Sequence, residues 1–336
     1  QDMVPQANAG TRHDFSMDPI RAVVDGEWVR AEGTTLGADN GIGVAAIIGI
    51  LESRDIAHGP LEALFTSNEE SGMDGAFGLE AGVLEGRILI NTDSEEEGEL
   101  CIGCAGGINV TSRFPCTREK VGGDWAVYRL SVTGLRGGHS GVDIHRNRGN
   151  AISLLFRILK ETAGESGLRV SELDAGNMRN AIPREAFATV GVPAELARTF
   201  QSSLKAMGRA IHKEWEEREP AICIDAVPVA ELPDQWIDAG IQERCVDAVG
   251  ACPTGVVRMS EAIPGLVETS TNLSIVRLGS DCIEVCSLVR SSVDSALKAV
   301  CRKIERLFAQ ACASTEFDGR YPGCLLYTSP SPRDSY

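Results

Sequence analysis

Through the first hundred residues the apolar positions switch between strand-like and helix-like spacing, which predicts an α/β layer. Residues 44–51 (VAAIIGIL) form a run of small apolar side chains that predicts a helix, opened by the Gly-rich turn 37–43. Residues 61–66 (LEALFT) and 87–91 (RILIN) predict buried strands. The first runs into Ser67-Asn68-Glu69-Glu70 and the second into Thr92-Asp93-Ser94. Acidic residues thus follow apolar strands or occupy a turn before a helix. In open α/β sheets, the rim at the carboxyl ends of strands is where sites are built.

After residue 107 the texture changes. Residues 125–133 (WAVYRLSVT) alternate as a strand, 134–141 (GLRGGHSG) make a sharp loop, and 150–162 follow as an amphipathic helix. Later, 271–276 and 282–290 predict strands and 293–311 a helix. These units predict an inserted α+β domain with its own antiparallel sheet. The expected organisation is 1–107, 108–312 as the insertion, and 313–323 turning back towards the first domain. The charged stretch 194–219 predicts a helix with a solvated face. Residues 324–336 lack hydrophobic periodicity and carry two Ser-Pro steps. They resemble translated adaptor sequence and stay outside the fold expectation.

Composition narrows the function classes. The chain has 336 residues, 43% of them hydrophobic, enough to bury two cores. A net charge of −16 repels phosphate backbones, which argues against nucleic acid as a partner. No apolar run approaches the roughly 18 residues that would suggest a membrane span. Eleven scattered cysteines suit free or buried thiols in a reducing, cytoplasmic setting. Cys101 and Cys104 form a lone CxxC, which reads as strand-and-turn packing rather than a zinc or redox motif.

The candidate chemistry lies in the ordered acids Asp2, Asp39, Glu69, Glu70 and Asp93. A two-metal hydrolytic site needs a bridging carboxylate, terminal ligands on each ion, and an unligated carboxylate to take a proton from water. Each residue also has a plain reading. An Asp in a Gly-rich turn is ordinarily a turn former or helix cap, and a Glu-Glu pair in a loop is ordinarily solvated. Spacing alone leaves these readings balanced.

Five motifs occur in order: DMVPQ (2–6), LGADNGIG (36–43), TSNEESGMDG (66–75), INTDS (90–94) and GGHSG (137–141). Together they resemble the aminoacyl-histidine dipeptidases, within the dinuclear metallopeptidase clan that includes aminoacylases and glutamate carboxypeptidases. The resemblance implies a zinc-peptidase catalytic domain, a mixed sheet flanked by helices, carrying an inserted α+β lid. It implies two divalent metal ions, zinc first, with cobalt or manganese as alternatives. Asp39 would bridge them, Asp93 and Glu70 would be terminal ligands, Glu69 the general base, and Asp2 the orienting acid of the family's His-x-Asp motif. His139 would reach the substrate to stabilise the oxyanion, and Asn272 and Arg290 would contact its carboxylate end. The implied reaction is hydrolysis of unblocked dipeptides, especially Xaa-His such as β-alanyl-histidine. A homodimer through the lid is left open. A same-clan aminoacylase or tripeptidase, or a non-catalytic binding protein on the same scaffold, are the alternatives. The family's two histidine ligands would fall before Gln1 and beyond residue 323. The expectation for this polypeptide is therefore three carboxylate ligands, weak zinc binding and little activity of its own.

Overall fold

The computed structural model describes residues 7, 11–38, 40–69, 73–93, 98 and 104–323. The chain forms two compact units, Gln1–Cys101 and Ile102–Tyr336.

In the first unit, strands β1 (Ala22–Asp25) and β2 (Trp28–Ala31) make an antiparallel hairpin whose tip is Gly26-Glu27. Helix α1 (Gly41–Glu52) contains the predicted segment 44–51 and starts three residues earlier. Helix α2 (Asp74–Phe77) is a single turn. The two strands expected at 61–66 and 87–91 are not formed, and their apolar side chains are exposed, Ile88 to 88%. A strand exists only by pairing its backbone groups with a neighbour. These segments have no ladder partner among the described residues. The Glu62 carboxylate instead accepts from the Glu85 and Gly86 backbone N–H groups, tying the two stretches by a side chain.

The second unit is built on a nine-stranded sheet. Its strands begin with β3 (Gly106–Pro115). Short β4 (Arg118–Lys120) precedes β5 (Trp125–Thr133), which occupies the predicted residues. Then come β6 (Gly138–His139), β7 (Arg169–Ala175), β8 (Ala181–Ile182) and β9 (Ala186–Pro193). The remainder are β10 (Cys223–Val229), β11 (Gln235–Ile237), β12 (Gly255–Met259), β13 (Val267–Leu278), β14 (Cys282–Ser291) and β15 (Ser314–Tyr321). The main order is β10-β5-β9-β7-β13-β14-β3-β15, with β12 also on β13. Every pairing is antiparallel. Two small ladders, β11 on β4 and β6 on β8, stand apart. Residues 314–321, expected to lead out of the inserted domain, lie along β3 in the same sheet.

Helices α3 (Ala151–Ser166), α4 (Ala197–Trp215), α5 (Ala239–Ala251) and α6 (Asp294–Gln310) pack against this sheet. Helix α3 has a strongly amphipathic sequence, and Ile152, Leu155, Phe156 and Ile158 are fully buried. Its N-cap Asn150 accepts from Ile152 and Ser153 N–H and donates to the Leu273 carbonyl, so the cap also fixes the helix to β13. The stretch 194–219 departs from the expected solvated face. Helix α4 buries Phe200, Leu204 and Ile211, a stripe spaced four and seven residues apart that spacing by charge alone conceals. The Phe200 ring packs 5.2 Å from that of Tyr128 on β5.

Candidate functional site

In the first unit, helix α1 begins at a turn shaped by Asn40. The Asn40 Oδ1 accepts from Gly43 N–H at 2.7 Å, while Nδ2 donates to the Thr92 carbonyl and, at 3.3 Å, to Asp93 Oδ1. A Cβ on Gly43 would collide with the Thr92 side chain, so glycine lets the two turns touch. The Asn40 turn and the Thr92-Asp93 turn are therefore neighbours. Asp39, Glu70 and Asp2 lie outside the described residues.

Glu69 is exposed at the start of a connection that folds back on itself. Asn68 and Met73 both take left-handed backbone angles, Met73 N–H reaches the Asn68 carbonyl at 2.6 Å, and Gly75 N–H reaches Ser67 at 3.0 Å. Asn68 Nδ2 donates to the exposed Asp74 carboxylate, at 3.1 Å from Oδ2. Among the described residues, no group of three or more His, Cys, Asp or Glu side chains is arranged to hold a metal. The described part of the donor set is an exposed carboxylate, Asp93, beside the Asp39-bearing turn. Oxygen donors of this kind fit a divalent cation.

In the second unit, the structure brings His139, Asn272 and Arg290 to one place. His139 on β6 pairs with Ala181 on β8, and Asn272 Nδ2 donates to the carbonyls of Ala181 (2.7 Å) and Arg179 (3.3 Å). Arg290 and His139 both flank Gly141: a Cβ there would sit 3.2 Å from the imidazole Cε1 and 3.6 Å from the Arg290 guanidinium carbon. Asn272 is 1% exposed, yet its Oδ1 has no hydrogen-bond partner, and neither has the buried Nε of Arg290. Buried polar atoms are nearly always paired, so an acceptor and a donor left open near His139 stand out.

Four residues that sequence reading did not single out complete the arrangement. Tyr321 OH accepts from Arg290 Nη1 at 2.8 Å, from the end of β15. Asp143 and Arg148 form a half-buried ion pair at 3.0 Å around the His139 loop. Glu219, with no exposed surface, takes the Arg136 and Gly149 N–H groups on its two carboxylate oxygens, each at 2.8 Å. None of these was visible as a motif. Glu219 is one more Glu in a charged run, and its partners lie 83 and 70 residues away in sequence.

The described cysteines are free. Burial pushes the Cys252 thiol up to about 12 and those of Cys286 and Cys301 up to about 11. These thiols stay protonated near neutrality, which removes them as nucleophiles. Cys101 of the CxxC lies outside the described residues, and Cys104 is exposed.

Comparison with known proteins is consistent across sequence and structure. Residues 130–219 match the peptidase dimerisation domain of the M20 peptidases. The cytosol non-specific dipeptidase of Escherichia coli K12 is 45% identical over 322 residues, 96% of this chain and 66% of that protein. The crystal structure of the aminoacylhistidine dipeptidase from Vibrio alginolyticus superposes with a TM-score of 0.75 at 46% identity. The superposition covers 96% of this chain and 66% of the Vibrio chain. The chain therefore spans slightly less than two thirds of the length of these relatives.

Proposed function

This chain belongs to the aminoacyl-histidine dipeptidase family, and from that premise we propose that the protein hydrolyses unblocked dipeptides, with Xaa-His peptides such as β-alanyl-histidine preferred. The observation that carries this reading is the pair of open buried atoms, Asn272 Oδ1 and Arg290 Nε, beside His139. A short peptide presents both a carboxylate for a guanidinium fork and N–H donors for an amide oxygen.

Asp39, Glu70 and Asp93 are the proposed holders of two divalent ions, zinc first, and Asp2 orients a ligand. Bound there, the ions supply Lewis acidity and lower the pKa of water. Glu69 takes the proton of the attacking water and returns it to the leaving amine. His139 donates to the oxygen that gains charge, and Arg290 with Asn272 fixes the carboxylate end. Support for the metal part comes from the Asn40–Thr92–Asp93 contacts, which put two of the proposed ligand turns side by side. The dimerisation-domain match supports a homodimer through the second unit. The name of the Escherichia coli relative supports a cytosolic location.

The test is a substrate panel on the full-length, zinc-loaded protein: β-alanyl-histidine, other dipeptides, tripeptides and N-acyl amino acids. Dipeptide turnover that is lost in Glu69→Gln and weakened mainly in KM by Arg290→Met supports the reading. Preference for tripeptides or N-acyl amino acids moves the protein elsewhere in the clan. Binding without turnover of any of them makes it a binding protein.

A further inference from the structure

The loop 134–149 is bonded in a way that fixes the state of the imidazole it carries. His139 Nδ1 accepts from two backbone donors, Val142 N–H at 3.1 Å and Gly141 N–H at 3.3 Å. A nitrogen that accepts two N–H groups has its lone pair in use and carries no hydrogen. In the neutral ring the proton then sits on Nε2, since the hydrogen bonding of one ring nitrogen decides the tautomer of the other.

Asp143 holds the residue itself. Its Oδ2 accepts the His139 N–H at 3.0 Å, and its own N–H donates to the His139 carbonyl at 2.9 Å. The other oxygen, Oδ1, is fixed by Arg148 Nη2 at 3.0 Å and Arg146 Nη1 at 3.2 Å. Arg148 also donates through Nη1 to the Gly137 carbonyl, so one guanidinium spans the clamp and the residues before it. Gly138 sits at φ 139°, and a Cβ there would collide with that guanidinium. At the base of the loop, Glu219 holds Arg136 and Gly149, so both ends are anchored to one buried carboxylate. The ring packs over Gly141, and the Arg290 guanidinium lies near the same face of that glycine. Among the described residues, the charged groups that line this loop include Asp143, itself doubly paired, and the cations Arg146, Arg148 and Arg290.

We propose that Asp143 and Arg148 are positioning residues that lock His139 into the neutral Nε2–H tautomer, so the ring meets the substrate as a hydrogen-bond donor. The donor's use in catalysis rests on the dipeptidase reading above; the tautomer does not. A clamped donor aimed in advance loses nothing to reorganisation when charge develops on the substrate oxygen. An Nδ1–H ring would instead place a hydrogen against two backbone donors and could not keep this orientation.

The tautomer is read directly by long-range 1H–15N correlation on the chain labelled with 15N-histidine. The protein has five histidines, and His139→Gln assigns the relevant signals by their loss. The expected pattern is an unprotonated Nδ1 and a protonated Nε2. In Asp143→Ala the two nitrogens should shift towards an average of both tautomers. Asp143→Asn, which keeps an acceptor oxygen for the His139 N–H, should restore much of the single-tautomer pattern. Arg148→Met tests the same clamp independently should Asp143→Ala not fold, as monitored by circular dichroism. An Nδ1–H or averaged ring in the unmodified chain overturns the proposal. So does a wild-type pattern in both Asp143→Ala and Arg148→Met. Absence of dipeptide turnover with the expected tautomer intact sinks only the dipeptidase reading, and turnover with the wrong tautomer sinks only this one.

Discussion

Helices α1 and α3 differ in a direction their compositions do not suggest. Helix α1 reads GIGVAAIIGILE and is apolar nearly all round, yet Ile42 is 80% exposed and Gly43 is its buried residue. Helix α3 reads AISLLFRILKETAGES, with four charged side chains, and its Ile, Leu and Phe residues are almost entirely buried. The difference lies in what surrounds each helix. Helix α3 has a sheet beneath it, α4 and α5 beside it, and a cap bonded to β13. The segments expected to flank α1 as strands are unpaired among the described residues. Apolar content supplies the drive to bury, and only a paired sheet supplies the place.

Substitutions can break or sharpen this contrast. Phe156→Ala in α3 removes a fully buried ring and should cost about 3–5 kcal/mol in urea unfolding. Ile48→Ala in α1, at 45% exposure, should stay within about 0.5 kcal/mol of zero. Equal losses at the two positions would remove the contrast. Next in size is Glu219→Ala, which orphans two backbone N–H groups and should cost about 3 kcal/mol. Glu214→Ala, which breaks only an exposed pair with Arg157, should cost less than about 1 kcal/mol.

The caps offer a finer comparison. Asn150→Ala removes both a cap and a buried bond to Leu273, for about 2 kcal/mol, while Asn40→Ala removes the cap of α1 and solvent-exposed bonds to Thr92 and Asp93, for about 1 kcal/mol. Chemical denaturation of the two variants checks the order. The smallest effect is acid dependence at the start of α6. The hydrogen bond from Arg320, helped by Lys298, holds the Asp294 carboxyl below its ordinary range. The folded pKa is depressed, so this contribution is complete above about pH 4 and fades as pH falls through the lower folded value. Asp294→Asn should flatten that part of the stability–pH curve, read by thermal unfolding from pH 6 down to pH 2.

What the sequence made legible follows from the same physics. Strand β5 and helices α3 and α6 have a strong period of their own, and the structure places them where that period runs. The stretches 61–66 and 87–91 carry equally apolar runs, but a strand is a relation to a partner that no local pattern contains. In α4 the stripe Phe200, Leu204, Ile211 is diluted by charged neighbours, so its local pattern looks like a surface. At the candidate site, His139 stands in the GGHSG motif, and Asn272 and Arg290 are nameable only through the family resemblance. Their supports, Asp143, Arg148, Glu219 and Tyr321, act through backbone groups and long-range contacts, which leave no local signature. Asp2, Asp39 and Glu70 fall outside the described residues, and among the described residues Asp93 accepts a hydrogen bond from Asn40, which follows Asp39 in sequence.

One feature of the large sheet reaches beyond this site. Ser112 on β3 and Thr315 on β15 share a hydrogen bond across 203 residues of sequence, and Gly106 and Gly323 meet backbone to backbone at the sheet's edge. The module between them begins and finishes at a single point. Such a module can be spliced into a surface loop of another protein without forcing the loop's ends apart, because little closure entropy is lost. Joined by a few glycines instead, its own ends would make a ring, and new termini could be opened at any exposed turn.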